Sequence, residues 1–221
     1  MFTGIIESVG TLAGVAARGD SLRMTVAAGA MAAGVRAGDS VCVNGICLTA
    51  VADGQAGRIA FDAVRETLAR TTAVEWSVGR RLHLEQALTP SARMGGHIVQ
   101  GHVDGRATLR RVVEQRTGRE IHLEGDRDYL AYIVAKGSVA VDGVSLTVAG
   151  IEGDIFRIAL VPFTLEHTGL GGLRAGDQVN IETDVLGRYV ERLLAHGRIA
   201  AEGGGLTADL LRRSGFGGGR G

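Results

Sequence analysis

Few side chains in this chain could do chemistry, and they are unevenly placed. Histidine is the side chain best suited to proton transfer near neutral pH, which makes His102 the first candidate. His97 lies five residues earlier, an odd separation that puts it on the opposite face of a regular strand. The two therefore do not read as a His-x4-His metal pair, and His97 is assigned a structural or supporting role. Cys47 offers a thiol, but no neighbouring cation or helix N-terminus is there to lower its pKa. Polar contact is favoured over covalent attack. Lys136 is the only primary amine side chain, beside 23 arginines. It either orients a ligand or ends a short helix before Gly137; an imine role would need a desolvated pocket. Ser145 and Thr147 supply hydroxyls. Asp184 can cap a following helix, touch a ligand, or do both.

Other chemistries are excluded. The only lysine follows Ala135, so no phosphate-binding Gly-Lys-Ser/Thr loop exists, and no G-x-G-x-x-G run occurs. The 24 basic residues cancel the 24 acidic ones, which removes the electrostatic footprint of a nucleic-acid binder. Aromatic residues are only 4%, too few for a stacking platform. The start, Met1-Phe2-Thr3-Gly4-Ile5-Ile6-Glu7, has no basic segment or long apolar run and does not read as a secretory signal. The stretch from Leu130 to Ile151 is broken by Lys136 and Asp142 and falls short of a membrane span. Two cysteines, Cys42 and Cys47, make neither a disulfide framework nor a four-ligand zinc site. The expectation is a cytosolic protein with free thiols and no metal.

A duplication positions the reactive groups. Ser40-Val41-Cys42-Val43-Asn44-Gly45-Ile46-Cys47-Leu48-Thr49 matches Ser138–Thr147 at six of ten positions, at an offset of 98. Gly4–Leu12 aligns with Gly101–Leu109, Val64–Leu68 with Val161–Leu165, and Val78–Glu85 with Ala175–Glu182, all at an offset of 97. Such a period is too long for a solenoid and reads as a duplicated domain. In each copy, Asn-Gly or Asp-Gly predicts a two-residue hairpin turn. That register pairs Val43 with Ile46, Cys42 with Cys47, Val41 with Leu48 and Ser40 with Thr49. One face is then aliphatic and the other carries Ser40, Cys42, Cys47 and Thr49. The second hairpin sorts the same way, with Ser138, Ala140, Ser145 and Thr147 on its small face. Solvated strand faces favour longer polar side chains, so this small polar face is read as ligand-directed.

Glycine, 35 of 221 residues, punctuates short apolar runs and predicts an all-β chain, with a Greek-key barrel or sandwich in each half. Short helical pieces are expected near Ala27–Val35 and Arg127–Val134, and a linker near Ala87–Gly96. Val185, Leu186, Tyr189, Val190, Leu193 and Leu194 form a stripe at helical spacing. That helix either docks on its own barrel or makes a subunit contact. The domains are expected at 1–88 and 89–186, with the helix and a disordered glycine-rich tail at 187–221.

Together the motifs Met1–Glu7, Val43–Thr49, Gly95–Gly105, Asp142–Thr147, Asn180–Asp184 and Tyr189–Leu194 resemble the riboflavin synthase family, alpha type. The resemblance covers residues 1 to about 195. It implies two tandem six-stranded Greek-key barrels plus a C-terminal helix, a homotrimer, and a reaction without a cofactor. In that reaction two molecules of 6,7-dimethyl-8-ribityllumazine dismutate by transfer of a four-carbon unit. The products are riboflavin and 5-amino-6-(ribitylamino)uracil. The resemblance places each site between the N-terminal barrel of one subunit and the C-terminal barrel of its neighbour. It makes His102, Cys47, Ser145 and Thr147 the catalytic set. It implies ligand contacts from Gly4, Ile5, Ile6, Ser40, Leu48 and Thr49, and from Asp62, Ala63, Val64, Arg65, Glu66 and Thr67. Gly101, Val103, Lys136 and Leu146 join them, with Ala159, Leu160, Val161, Pro162, Phe163, Thr164 and Asp184. Pro162-Phe163 departs from the more polar residues of the family. Lumazine synthase is a further implied partner. Lumazine proteins, which hold a ligand without turnover, are the rival reading, with a flavin-reductase-like barrel behind it. The presence of His102, Cys47, Ser145 and Thr147 favours the enzyme.

Overall fold

Both hairpin turns form in the expected register. Asn44 and Gly45 have φ of 46° and 81°, and Asp142 and Gly143 have 45° and 80°, the left-handed pair that a two-residue turn requires. Ser40↔Thr49 through Val43↔Ile46 pair in one hairpin, and Ser138↔Thr147 through Val141↔Val144 in the other. The computed structural model describes residues 1–196.

The first half contains β1 (Ser8–Arg18), β2 (Ser21–Ala27), β3 (Ser40–Val43), β4 (Ile46–Thr49), β5 (Arg58–Ala63) and β6 (Arg81–Gln86). They form a six-stranded antiparallel sheet in the order β4-β3-β6-β1-β2-β5. The second half contains β7 (Gly105–Gln115), β8 (Gly118–Glu124), β9 (Ser138–Val141), β10 (Val144–Glu152), β11 (Ile155–Leu160) and β12 (Gln178–Thr183). It repeats that order and closes as a barrel, β10-β11-β8-β7-β12-β9. The halves differ at the seam. Strand β10 runs on to Glu152 and pairs with β11 from Val148 onward. Strand β4 stops at Thr49, and its seam with β5 is the bridge Ala50↔Phe61 with the Val51 N–H donating to the Ala60 carbonyl at 2.9 Å.

Alternation delivers each aliphatic hairpin face to a core. Val41, Val43, Ile46 and Leu48 pack with Leu12, Phe61, Leu82 and Leu84. Val139, Val141 and Val144 pack with Leu109, Phe156, Ile158, Val179 and Ile181. The small faces divide. Cys42 and Ala140 are buried between the two halves, in a third cluster with Phe2 and Val99. For these two residues the ligand-directed reading is corrected: what approaches closely is the other half of the chain. Thr49 and Thr147 stay exposed.

The hairpin tips join the halves with near-twofold symmetry. His83 N–H donates to Asn44 Oδ1 at 2.6 Å, and Asn180 N–H donates to Asp142 Oδ1 at 2.8 Å. Across the boundary, Asn180 Nδ2 donates to the Asn44 carbonyl at 2.8 Å. His83 Nδ1 meets the Asp142 carbonyl at 2.8 Å, and the Gly169 N–H donates to His83 Nε2 at 2.6 Å. A backbone donor on Nε2 places the ring proton on Nδ1. Burial pushes the pKa of this imidazole down to about 4, so it bridges the halves as a neutral ring.

The expected helical pieces occur as a 3-10 turn at Gly29–Gly34 and as α2 (Arg127–Leu130). Two further helices, α1 (Arg65–Arg70) and α3 (Pro162–His167), follow β5 and β11. The C-terminal helix α4 (Val185–Ala195) exposes Leu186, Tyr189, Val190, Leu193 and Leu194, each by 40% or more. The glycine-rich tail lies outside the described residues. No described helix is long and apolar enough to cross a membrane.

Candidate active site

Each half lends its leading segment to the other. Phe2 and Val99 form an antiparallel bridge, with N–H···O distances of 2.7 and 3.1 Å. From there the chains cross. The Cys47 N–H donates to the Gly101 carbonyl at 2.8 Å, and the Ser145 N–H donates to the Gly4 carbonyl at 2.8 Å. Beyond these contacts Val103 packs on the first core and Ile6 on the second. Gly101 and Gly4 have φ of +77° and +75°, and a Cβ on either would lie 2.6 Å from the Cβ of Cys47 or Ser145. Only glycine allows this approach.

Buried carboxylates hold the crossing segments. Glu85 accepts the Thr3 N–H at 2.6 Å, the Thr3 hydroxyl at 2.7 Å and the Gly4 N–H at 2.9 Å. Its counterpart Glu182 accepts the N–H groups of Gln100, Gly101 and His102 at 2.6, 2.8 and 3.1 Å. Burial pushes the Glu182 carboxyl up to about 7, against the pull of those donors. Neither glutamate is among the expected site residues. The signal is the alignment of Glu85 with Glu182 in the repeat.

Two equivalent strand surfaces result. In the first, Cys47, Leu48 and Thr49 have β3 along one edge and the Gly101 segment along the other. The bridge Ala50↔Phe61 sets Thr49 opposite Asp62 at the start of the segment 62–67. In the second, Ser145, Leu146 and Thr147 have β9 on one edge and the Gly4 segment on the other. The pairing Val148↔Ile158 sets Thr147 opposite Ala159 at the start of 159–164. The structure therefore brings Gly101, next to His102, against Cys47 and Gly4, next to Ile5, against Ser145, each pair across the two halves.

The remaining expected residues sort by exposure. Val64, Arg65, Glu66, Val161 and Pro162 are exposed on the short helices and their approaches, and Ile5 is half-exposed. Thr67 and Thr164 occupy equivalent positions in α1 and α3, their carbonyls accepting the hydroxyls of Thr71 and Thr168 at 2.7 and 2.6 Å. Leu48, Ala63 and Leu160 have side chains in the cores, so only their backbones remain for a ligand. Asp62 is ion-paired with Arg23, which holds its carboxyl below the usual range. Ser40 is half-buried at the hairpin base. Phe163 is 68% exposed and stacks on His167 at 3.9 Å. Lys136 is exposed, at φ 68°. Its amine is solvated, so an imine role has no support.

His97 lies against the second hairpin. Its Nδ1 lies 2.7 Å from Ser145 Oγ, and its Nε2 is buried with no hydrogen-bond partner among the described residues. Leaving such a nitrogen unsatisfied costs about 1–3 kcal/mol. Burial pushes this ring's pKa down, and the Asp184 charge pulls it up. Residues 97–104 bend instead of running as a regular strand, so strand alternation does not decide which way this ring points. A separate cleft of about 910 Å³ lies between the halves, lined among others by His83, Asp142, Arg80 and Arg119. Of the expected residues it touches only Pro162.

A family profile described as a lumazine binding domain matches residues 3–87 and again 100–184. The riboflavin synthase of Photobacterium phosphoreum is 42% identical over 220 residues, covering 98% of this chain and 99% of that one. That of Mycobacterium tuberculosis H37Rv is 41% identical, covering 88% and 98%. The chain belongs to the riboflavin synthase family. The riboflavin synthase family is one of enzymes, of the transferase class. Its Bacillus subtilis member is 37% identical over 216 residues, covering 98% of this chain and all of that one. Among solved structures, LumP complexed with riboflavin matches with a TM-score of 0.77 at 26% identity, covering 83% of this chain and 99% of LumP. LumP complexed with 6,7-dimethyl-8-(1′-D-ribityl) lumazine matches with a TM-score of 0.75.

Proposed function

We propose that the chain converts two molecules of 6,7-dimethyl-8-ribityllumazine into riboflavin and 5-amino-6-(ribitylamino)uracil. The observation that carries this reading is the pair of reciprocal clefts, alike in backbone and unlike in side chains. Two identical heterocycles need alike sites. Donor and acceptor of the four-carbon unit need unlike ones: Cys47 with His102 in one cleft, Ser145 with Ile5 in the other. The two lumazines sum to the two products with no water, oxidant or cofactor left over. The protein's task is then to hold two rings in register and to move protons. Register alone supplies on the order of 7–11 kcal/mol of a bimolecular barrier. A placed acid or base adds typically 10²–10⁴-fold.

The rings meet if the first cleft of one subunit faces the second cleft of a neighbour, and we propose a homotrimer for this reason. Exposed Val64, Val161 and Phe163, together with the apolar stripe of α4, support such contacts. A site completed by a neighbour need not be a closed cavity in one chain. A cytoplasmic setting and docking to lumazine synthase belong to the same proposal.

A second reading, ligand holding without turnover, is favoured by the likeness to LumP. Purified protein mixed with the lumazine alone separates the two. Riboflavin forming at one molecule per two lumazines consumed is the expected result. Tight binding with no riboflavin would leave only the carrier.

A further inference from the structure

Outside the expected set, one polar side chain is aimed at a cleft wall with part of its capacity unspent. His97 is nine-tenths buried. Its Nδ1 contacts Ser145 Oγ at 2.7 Å, while its Nε2 has no partner among the described residues. A purely structural role is poorly served by this arrangement, since an apolar ring of the same size would leave no nitrogen stranded. The hydroxyl it touches is confined on other sides as well. A Cβ on Gly96 would lie 2.9 Å from Ser145 Oγ, and one on Gly4 would lie 2.6 Å from Ser145 Cβ. Backbone on two sides and an imidazole on a third leave the hydroxyl little rotational freedom. Cys47, the counterpart of Ser145, has a Gly101 wall but no imidazole hydrogen bond among the described residues.

We propose that His97 is a positioning residue that fixes the Ser145 hydroxyl for proton transfer to or from the lumazine in the second cleft. This rests on reading the clefts as lumazine sites. With one hydrogen bond spent on His97, the hydroxyl keeps its other capacity for the cleft. When a lumazine methyl group loses a proton, the C–H bond breaks and its electron pair delocalises into the ring. The proton bonds to Ser145 Oγ as the hydroxyl proton passes to Nδ1, and Asp184 is the charged group whose field favours the imidazolium. Reversal of the same path returns the proton. The first cleft, with a thiol and the exposed His102, has no such relay. The copies therefore differ in how each handles protons as well as in which atoms they present.

The test compares His97→Gln, His97→Leu, Ser145→Ala and the His97→Leu/Ser145→Ala double variant with the wild type. Lumazine affinity is read by fluorescence titration and turnover by riboflavin release. The expected result is a kcat at least tenfold lower in each His97 variant, with affinity within about twofold. Adding His97→Leu to Ser145→Ala should cost no further activity. His97 variants as active as the wild type, or a double variant slower by the product of the single effects, would overturn the proposal and leave the proposed function standing. A wild type that makes no riboflavin would overturn both. If neither His97 variant folds, the pH profile of kcat decides. An acid limb below the usual histidine range, present in the wild type and absent from Ser145→Ala, supports the relay. A limb unchanged by Ser145→Ala refutes it.

Discussion

Asp142→Asn should stabilise the fold, and more so at high pH. Asp142 is fully buried at a hairpin tip, and burial raises its pKa from 3.8 to about 7, with the Arg80 charge offsetting part of the effect. Its folded-state pKa is thus above its unfolded one. Between about pH 4 and about pH 7 the fold keeps a proton that the unfolded chain has released, so this group's contribution falls as pH rises through that window. At over about 1 kcal/mol per pH unit the loss reaches about 4 kcal/mol by pH 8 and is only about 1–2 kcal/mol at pH 5. Asparagine removes the charge and keeps the acceptor: in the first copy Asn44 Oδ1 takes the same backbone N–H, from His83 at 2.6 Å. For a unit of this size the gain amounts to roughly 8–16 °C in thermal midpoint at pH 8 and roughly 3–6 °C at pH 5. Differential scanning calorimetry at the two pH values measures both. Equal gains at pH 5 and pH 8, or a loss at either, would refute the claim that a buried charge is being relieved.

Other expectations share that logic. In the Asp142→Asn background, adding His83→Gln should remove a cost of about 2 kcal/mol on acidification from pH 7 to 5, because His83 is buried neutral with its pKa lowered to about 4 and protonates more readily unfolded; the difference between the two variants' calorimetric stabilities at the two pH values reads it. Gly101→Ala should cost about 1–3 kcal/mol in strain and lower riboflavin formation at least tenfold by driving a Cβ to 2.6 Å from Cys47. The control Gly19→Ala, also at positive φ but with nothing within 4 Å, should leave activity alone. His102→Gln should lower kcat by roughly 10²–10⁴-fold in steady-state assays without abolishing it; complete loss would contradict a mechanism dominated by register. Leu193→Asp, on the exposed face of α4, should yield monomers in sedimentation and a loss of turnover larger than any single cleft substitution produces.

What could be read from the sequence followed from local geometry. An Asn-Gly or Asp-Gly turn fixes a hairpin register, and alternation then assigns every side chain to a face, so Val41 through Leu48 were placed correctly. The order of the strands in each sheet has no such local determinant, and the family resemblance implies the barrel type but not that order. The helices α1 and α3 are six residues each, too short to show an apolar period, although Pro162 at the first turn of α3 marks its start. Composition could not say what approaches a small face. For Cys42 and Ala140 it is the other half of the chain. The contact between His97 and Ser145 is not legible in the sequence because alternation applies to regular strands, and the segment is held bent by Glu182 and the left-handed Gly101. Glu85 and Glu182 were visible in the repeat, but buried carboxylates that bind backbone carry no motif.

The crossing of the two leading segments also limits how such a chain can change. Neither half can be discarded without stripping the edge from the one that remains, since the backbone that walls each cleft is encoded with the other. A descendant that needed a single ligand would still inherit both barrels, and the spare one would persist as scaffolding.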